Sequence, residues 1–204
     1  MNLQELTVYA AKFNGIIELT TVGLTVRMPQ TKSQAKEDIP GDVFTSLPRT
    51  DAFADAEKFI KDWETYWRLK SFIKKKDIEK FIRHKIGTNS TWAIKTLLVI
   101  FSRQTAAEKN AEQTCENNNV GFTGFDGHLM ASFAKQYIKH FGNKYPEGDI
   151  TKHFDERLFS AKQLTILKKA MQKYWKQILS VSDEKKLLKQ IAADLPATQM
   201  RLAI

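Results

Sequence analysis

Two groups of cationic side chains and one glycine-rich loop are the parts of this chain whose residue types and spacing point to a chemistry, and that chemistry is the holding of phosphate. Lys162, Lys169, Lys173 and Lys176 fall within Ser160–Leu179. Wound at 100° per residue, they oppose a stripe of Leu164, Leu167, Met171, Tyr174, Trp175 and Ile178. Lys74, Lys75 and Lys76 open a second group that continues with Lys80 and Arg83. The loop from Asn117 to His128 holds three asparagines and three glycines. Its backbone can reach left-handed and close-approach conformations. Asn117 and Asn119 offer side-chain donors and acceptors, and Gly121 offers a backbone N–H to a sugar-phosphate chain. Val120, Phe122 and Phe125 read as apolar plugs that tie the loop down. The same residues also fit a plain reading, in which the lysines are solvated helix faces and the loop is a turn between two helices.

An enzyme would need more. Asp126 and His128 flank Gly127 and, with Asp149 or Asp155, suggest an acid/base pair or a cation site. Asp126 is equally suited to cap a helix starting near His128. His84, His128, His140 and His153 lack the i, i+4 spacing that puts two imidazoles on one metal, and Cys115 is the only cysteine. Gly121, Gly124 and Gly127 match neither a phosphate-loop nor a dinucleotide fingerprint. The expectation is therefore no catalytic residue, no metal and no cofactor.

Of the 204 residues, 42% are hydrophobic and 11% aromatic, enough for a packed core. No run of about 18 apolar residues is present, and the first residues lack the basic and apolar segments of a signal peptide, so the chain is expected to be soluble and cytoplasmic. The net charge of +9 is unevenly spread: residues 51–100 hold 11 basic and 7 acidic groups and residues 151–204 hold 11 and 5. A local excess of this kind suits nucleic acid or the acidic face of a protein.

The expected fold class is α+β and predominantly α-helical: a β-hairpin or three-stranded meander over 1–28, a linker over 29–50, a bundle of six to seven helices over 51–196 and a tail over 197–204. Leu6–Phe13 and Ile16–Val22 flank Asn14-Gly15, the strongest short-range hairpin signal, and Leu24–Met28 adds a third strand. In the helical part, Phe53, Ala56, Phe59, Ile60, Trp63, Tyr66 and Trp67 form one stripe. Asp77 reads as the cap of a helix over Ile78–Ile86. A helix containing Trp92 to Phe101, apolar nearly all round, is expected at the centre. Thr105 to Glu108 has capping-box spacing, Leu129–Phe141 is amphipathic, and Ser182-Asp183-Glu184 supplies the cap of a last helix over Lys185–Ala193.

Trp92-Ala93-Ile94, Gln104-Thr105, Glu108, Asn119-Val120-Gly121-Phe122, Asp126, Lys162-Gln163 and Tyr174-Trp175-Lys176-Gln177 together resemble a segment of proteins from phages and mobile elements, at times appended to helicase-like DNA-processing proteins. The resemblance covers about 90 residues, implies a DNA transaction or a phage–host setting, and carries no active site. The leading expectation is a nucleic-acid-binding accessory protein, with DNA favoured over RNA. The alternative is a non-enzymatic inhibitor or adaptor that docks on an acidic protein surface, such as a host nucleoprotein defence complex.

Overall fold

The computed structural model describes residues 2–21, 23–30, 40–47, 51–105 and 120–195. The fold is α+β and predominantly helical, with a three-stranded antiparallel sheet near the N-terminus. Contacts divide the chain into two compact units, the first running to Phe72 and the second beginning at Ile73. The division expected in the 29–50 connector is thus displaced. The long helix after the connector packs with the sheet, and part of the connector is itself a strand.

The first unit opens with a correction. Leu3–Ala11 is a helix, α1, where a strand was expected over 6–13. Asn2 and Glu5 close a reciprocal cap at its start: Glu5 N–H donates to Asn2 Oδ1 at 2.9 Å and Asn2 N–H donates to Glu5 Oε2 at 2.9 Å. Leu6 and Ala10, one turn apart, are both fully buried, and Val8 between them is 60% exposed. Asn14-Gly15 is no hairpin turn either. Asn14 takes φ 57°, and the N–H groups of Asn14 and Gly15 donate to Ala11 and Ala10 carbonyls at 3.0 Å. That is the left-handed stop of a helix, whose carbonyls would otherwise lack partners.

The meander follows. Strands β1 (Ile16–Thr20), β2 (Gly23–Arg27) and β3 (Val43–Ser46) pair antiparallel in the order β1-β2-β3, with Val26 between Ile17 and Phe44. The hairpin therefore lies one segment later than Asn14-Gly15, turning between Thr20 and Gly23. Gly23 has φ +153°, and a Cβ there would lie 2.2 Å from the Ser46 carbonyl oxygen, so only glycine fits. Helix α2 (Ala52–Phe72) lays Ala52, Ala56 and Ile60 on Leu6, Ala10, Leu24, Val26 and Met28. Trp63 and Trp67 continue that packing through ring contacts with Phe13 and Tyr66.

In the second unit α4 (Ser90–Ser102) is central, as its all-round apolar character demands. It is buried at Ala93, Ile94, Thr96, Leu97 and Ile100 and touches α3 (Lys75–Thr88), α5 (Gly124–Lys144), α6 (Ala161–Met171) and α7 (Trp175–Val181). Asn89 caps α4 by accepting the Trp92 N–H at 3.1 Å. Helix α8 (Glu184–Asp194) packs on α3 and is capped by Asp183. The polar helix expected after Thr105, and the tail over 197–204, lie outside the described residues. No helix among the described residues is long and apolar enough to cross a membrane.

The burial pattern of α1 separates helix from strand. Leu6→Ala should destabilise by about 2–5 kcal/mol and Val8→Ala by less than about 0.5 kcal/mol in urea unfolding. A strand with 6, 8 and 10 on one face would make both substitutions costly.

Candidate nucleic-acid interface

Helix α3 starts earlier than Asp77 implies. The Lys74 backbone N–H donates to Asp77 Oδ2 at 2.9 Å, so Lys74 is the cap, Asp77 the third helical residue, and Lys75 and Lys76 lie in the first turn. Ile78, Phe81, Ile82 and Ile86 point inward. Lys76, Lys80 and Arg83, at i, i+4 and i+7, run along the opposite side. Lys74, Lys75, Lys76 and Lys80 are exposed. Arg83 differs, since its Nε donates to Glu79 Oε1 at 2.8 Å and its charge is offset within the helix.

The continuous lysine face expected over 160–179 is interrupted. Ser160 caps α6 with Gln163 as its reciprocal partner, but α6 ends at Met171. A 3₁₀ turn over Gln172–Tyr174 intervenes before α7 restarts at Trp175. Three residues per turn instead of 3.6 shifts the angular phase, so the four lysines do not share one face of one helix. Lys162 and Lys169, seven apart, stay on the outer side of α6 and are exposed. Lys176 is exposed with its Nζ 5.8 Å from the Trp175 ring centroid. Lys173 forms an ion pair with Asp126, whose carboxylate is buried. Its charge is therefore answered from inside the protein.

The glycine loop is used by the protein itself. Gly121 takes φ +85°, and a Cβ there would meet the buried Gln104 side chain at 2.8 Å. Its N–H donates to Gln177 Oε1 at 3.1 Å and its carbonyl accepts from Gln177 Nε2 at 2.9 Å. The Gly121 amide expected to meet a sugar-phosphate chain is thus already bonded, which removes it from the interface. Phe122 is the buried plug, edge-on to Tyr174 at 5.7 Å. Phe125 is not a plug: it is 96% exposed. Asn117 and Asn119 lie outside the described residues.

Below the loop, the Tyr174 hydroxyl donates to Asp126 Oδ2 at 2.7 Å and accepts the Thr123 N–H at 3.0 Å. Burial pushes the Tyr174 phenol far above its ordinary range, so it stays a donor at any working pH. Asp126 is the third residue of α5, which starts at Gly124 and is capped at Thr123, so the helix begins about a turn earlier than a cap at Asp126 would place it. Residues two apart on a helix point to different sides, so Asp126 and His128 do not form the pair an acid/base reaction needs. Asp155 stands in a separate cluster, accepting from Lys144 Nζ at 2.6 Å, Tyr145 Oη at 2.7 Å and Arg157 Nε at 2.9 Å. The Arg157 guanidinium, then Lys144 and Tyr145, hold its carboxyl well below the usual carboxylate range. Among the described residues no three His, Cys, Asp or Glu side chains converge on a point where a metal ion could sit.

Sequence reasoning missed the polar roles of Gln177 and Tyr174. The available signal for Tyr174 was its place on an apolar stripe, since a buried phenol hydroxyl requires a partner. Removing the Gly121 clamp with Gln177→Ala should cost about 1–3 kcal/mol in urea unfolding, the penalty for leaving buried backbone groups unpaired. Because Asp155 has a depressed folded pKa, its contribution is complete above the unfolded carboxyl value of about 4 and is lost as pH falls below it. Asp155→Asn should accordingly be less stable than the parent at neutral pH, with a flatter loss of stability below about pH 4 in acid titrations followed by circular dichroism.

No family model, curated protein or solved structure matches this chain.

Proposed function

We propose that the second unit binds nucleic acid through its phosphates, with Lys75, Lys76 and Lys80 on α3 and Lys162, Lys169 and Lys176 on α6 and α7 as the contacting cations. One observation carries this reading: the positive charge is segregated. Residues 1–72 carry 9 basic and 10 acidic side chains, whereas residues 73–200 carry 22 and 13, which accounts for the whole net charge of +9. Within that unit these six lysines are exposed and make no ion pair with a described carboxylate.

Geometry adds to composition. Helices α3 and α6 pack side by side, and the Lys168 Nζ donates to the Thr88 carbonyl at 3.4 Å, so the two lysine groups sit on neighbouring elements. Lys75 and Lys76 occupy the first turn of α3, where the helix dipole is also positive. Asp77 in the same turn answers part of that charge, and the remainder favours a bound anion. Phosphate is such an anion, and the release of condensed counterions supplies most of the affinity. A phage or mobile-element accessory role, with DNA as the ligand, suits such a surface.

A second reading, an adaptor or inhibitor that docks on a protein, is favoured by a different observation. Ile16 and Leu19 on edge strand β1 and Val43 on edge strand β3 are each about half exposed or more, and edge strands with apolar side chains can extend a partner's sheet.

The salt dependence of binding tests the first reading. In titrations of DNA at rising salt, log affinity should fall linearly against log salt, with about 0.9 of slope per phosphate contact on duplex. Replacing Lys162, Lys169 and Lys176 by glutamine should flatten the slope by about 2–3. A chain that binds neither DNA nor RNA at low salt, or whose affinity ignores these lysines, sinks the proposal and leaves the adaptor reading.

A further inference from the structure

Phe125 is the most exposed large apolar side chain among the described residues. A phenyl ring held in water forgoes the burial that normally justifies it. The backbone beneath it is not loose. Thr123 and Asp126 on either side are both bonded to the Tyr174 hydroxyl, and Gly121 is clamped by Gln177. The ring is therefore presented on a firm base, at a fixed place in the first turn of α5.

Its surroundings are positive. The Lys173 Nζ lies 5.9 Å from the ring centroid, held there by its ion pair with Asp126. Lys169 and Lys176 lie a turn to either side of Lys173 along the chain, on separate helices, and are exposed. The carboxylate of the adjacent Asp126 is buried and engaged by Lys173 and Tyr174. A Cβ built on Gly124 would meet nothing within 4 Å, so the approach to the ring along the chain is open. An apolar pocket on a protein would gain nothing from the Lys173 cation beside the ring. A polyanion whose planar groups are free to stack gains from both.

We infer that Phe125 is a stacking platform for an unpaired nucleobase, with the Lys173 cation steadied beside it, and that the preferred ligand of this surface is single-stranded nucleic acid. The inference rests on the phosphate-binding reading and sharpens it. In a duplex each base is already stacked on its neighbours and offers no free face, whereas every base of a single strand has one. Ring and lysines divide the work: the lysines follow the sugar-phosphate chain, and the ring takes the base. Lys173, whose charge is offset by Asp126, positions the ring face and is not one of the six phosphate contacts.

The test compares the full chain with Phe125→Ala and Phe125→Trp, titrating a single-stranded oligonucleotide and a duplex of the same length in one buffer. The parent should favour the single strand. Phe125→Ala should weaken single-strand binding by about fivefold or more, the loss typical of one stacked base, and leave duplex binding unchanged. Phe125→Trp should retain the single-strand affinity. Because the side chain is exposed, neither substitution disturbs the core, and circular dichroism of the variants should match the parent. Lysine-dependent binding that is indifferent to Phe125→Ala, or that falls equally for both ligands, overturns the stacking platform while leaving the phosphate-binding reading in place. A parent chain that binds neither oligonucleotide overturns both.

Discussion

A carboxylate buried in a protein must be hydrogen-bonded and paired, or it destabilises the fold by several kcal/mol. Asp126 sets that requirement for the second unit. Tyr174 and Lys173 meet it, and both belong to the 3₁₀ turn between α6 and α7. The start of α5 is thereby tied to the middle of the lysine-rich segment. Much follows from this one contact: Lys173 turns toward the protein, Thr123 is bonded from below, and Phe125, next to Asp126 but on another side of the helix, is left facing water. The neighbouring clamp of Gly121 by Gln177 extends the same tie by one more turn.

Charge and packing are arranged separately in the two units. The first unit is nearly neutral and is built on a sheet and two helices that share one apolar cluster. The second unit carries the net charge, and its carboxylates are partly spent on internal pairs with Arg83, Lys85, Lys144, Lys173 and Lys186. Among the described residues, Lys75, Lys76 and Lys80 on α3 and Lys162, Lys169 and Lys176 on the α6–α7 segment remain exposed without an ion pair to a described carboxylate. Self-repulsion of this kind is tolerated at a surface that meets an opposing field of charge.

The N-terminal segment shows how one local signal serves two structures. Asn14-Gly15 asks for a left-handed backbone, and both a tight hairpin and the end of a helix need one. The β-branched and aromatic residues before it favoured the hairpin. The Asn2–Glu5 cap and the i, i+4 pair Leu6 and Ala10 favoured the helix, and burial against Ala56 and Ile60 is available only to that choice. Intrinsic strand preference is worth at most about 1 kcal/mol per residue, less than the burial of a leucine.

From the sequence alone came the fold class, the central place of the apolar helix Ser90–Ser102 and a cap within Ser182–Glu184, because periodicity and capping are local properties. Tertiary structure decided the rest. Whether Lys173 is a free cation or half of an ion pair depends on Asp126, 47 residues away in the chain. Gly121 lost its place in the interface to a side chain 56 residues distant, and Phe125 exchanged a plug's role for an exposed one because its neighbour's carboxylate, not its own ring, faces the protein interior. Contacts at such separations are chosen by which groups the packed core brings together, and no window along the chain contains that information.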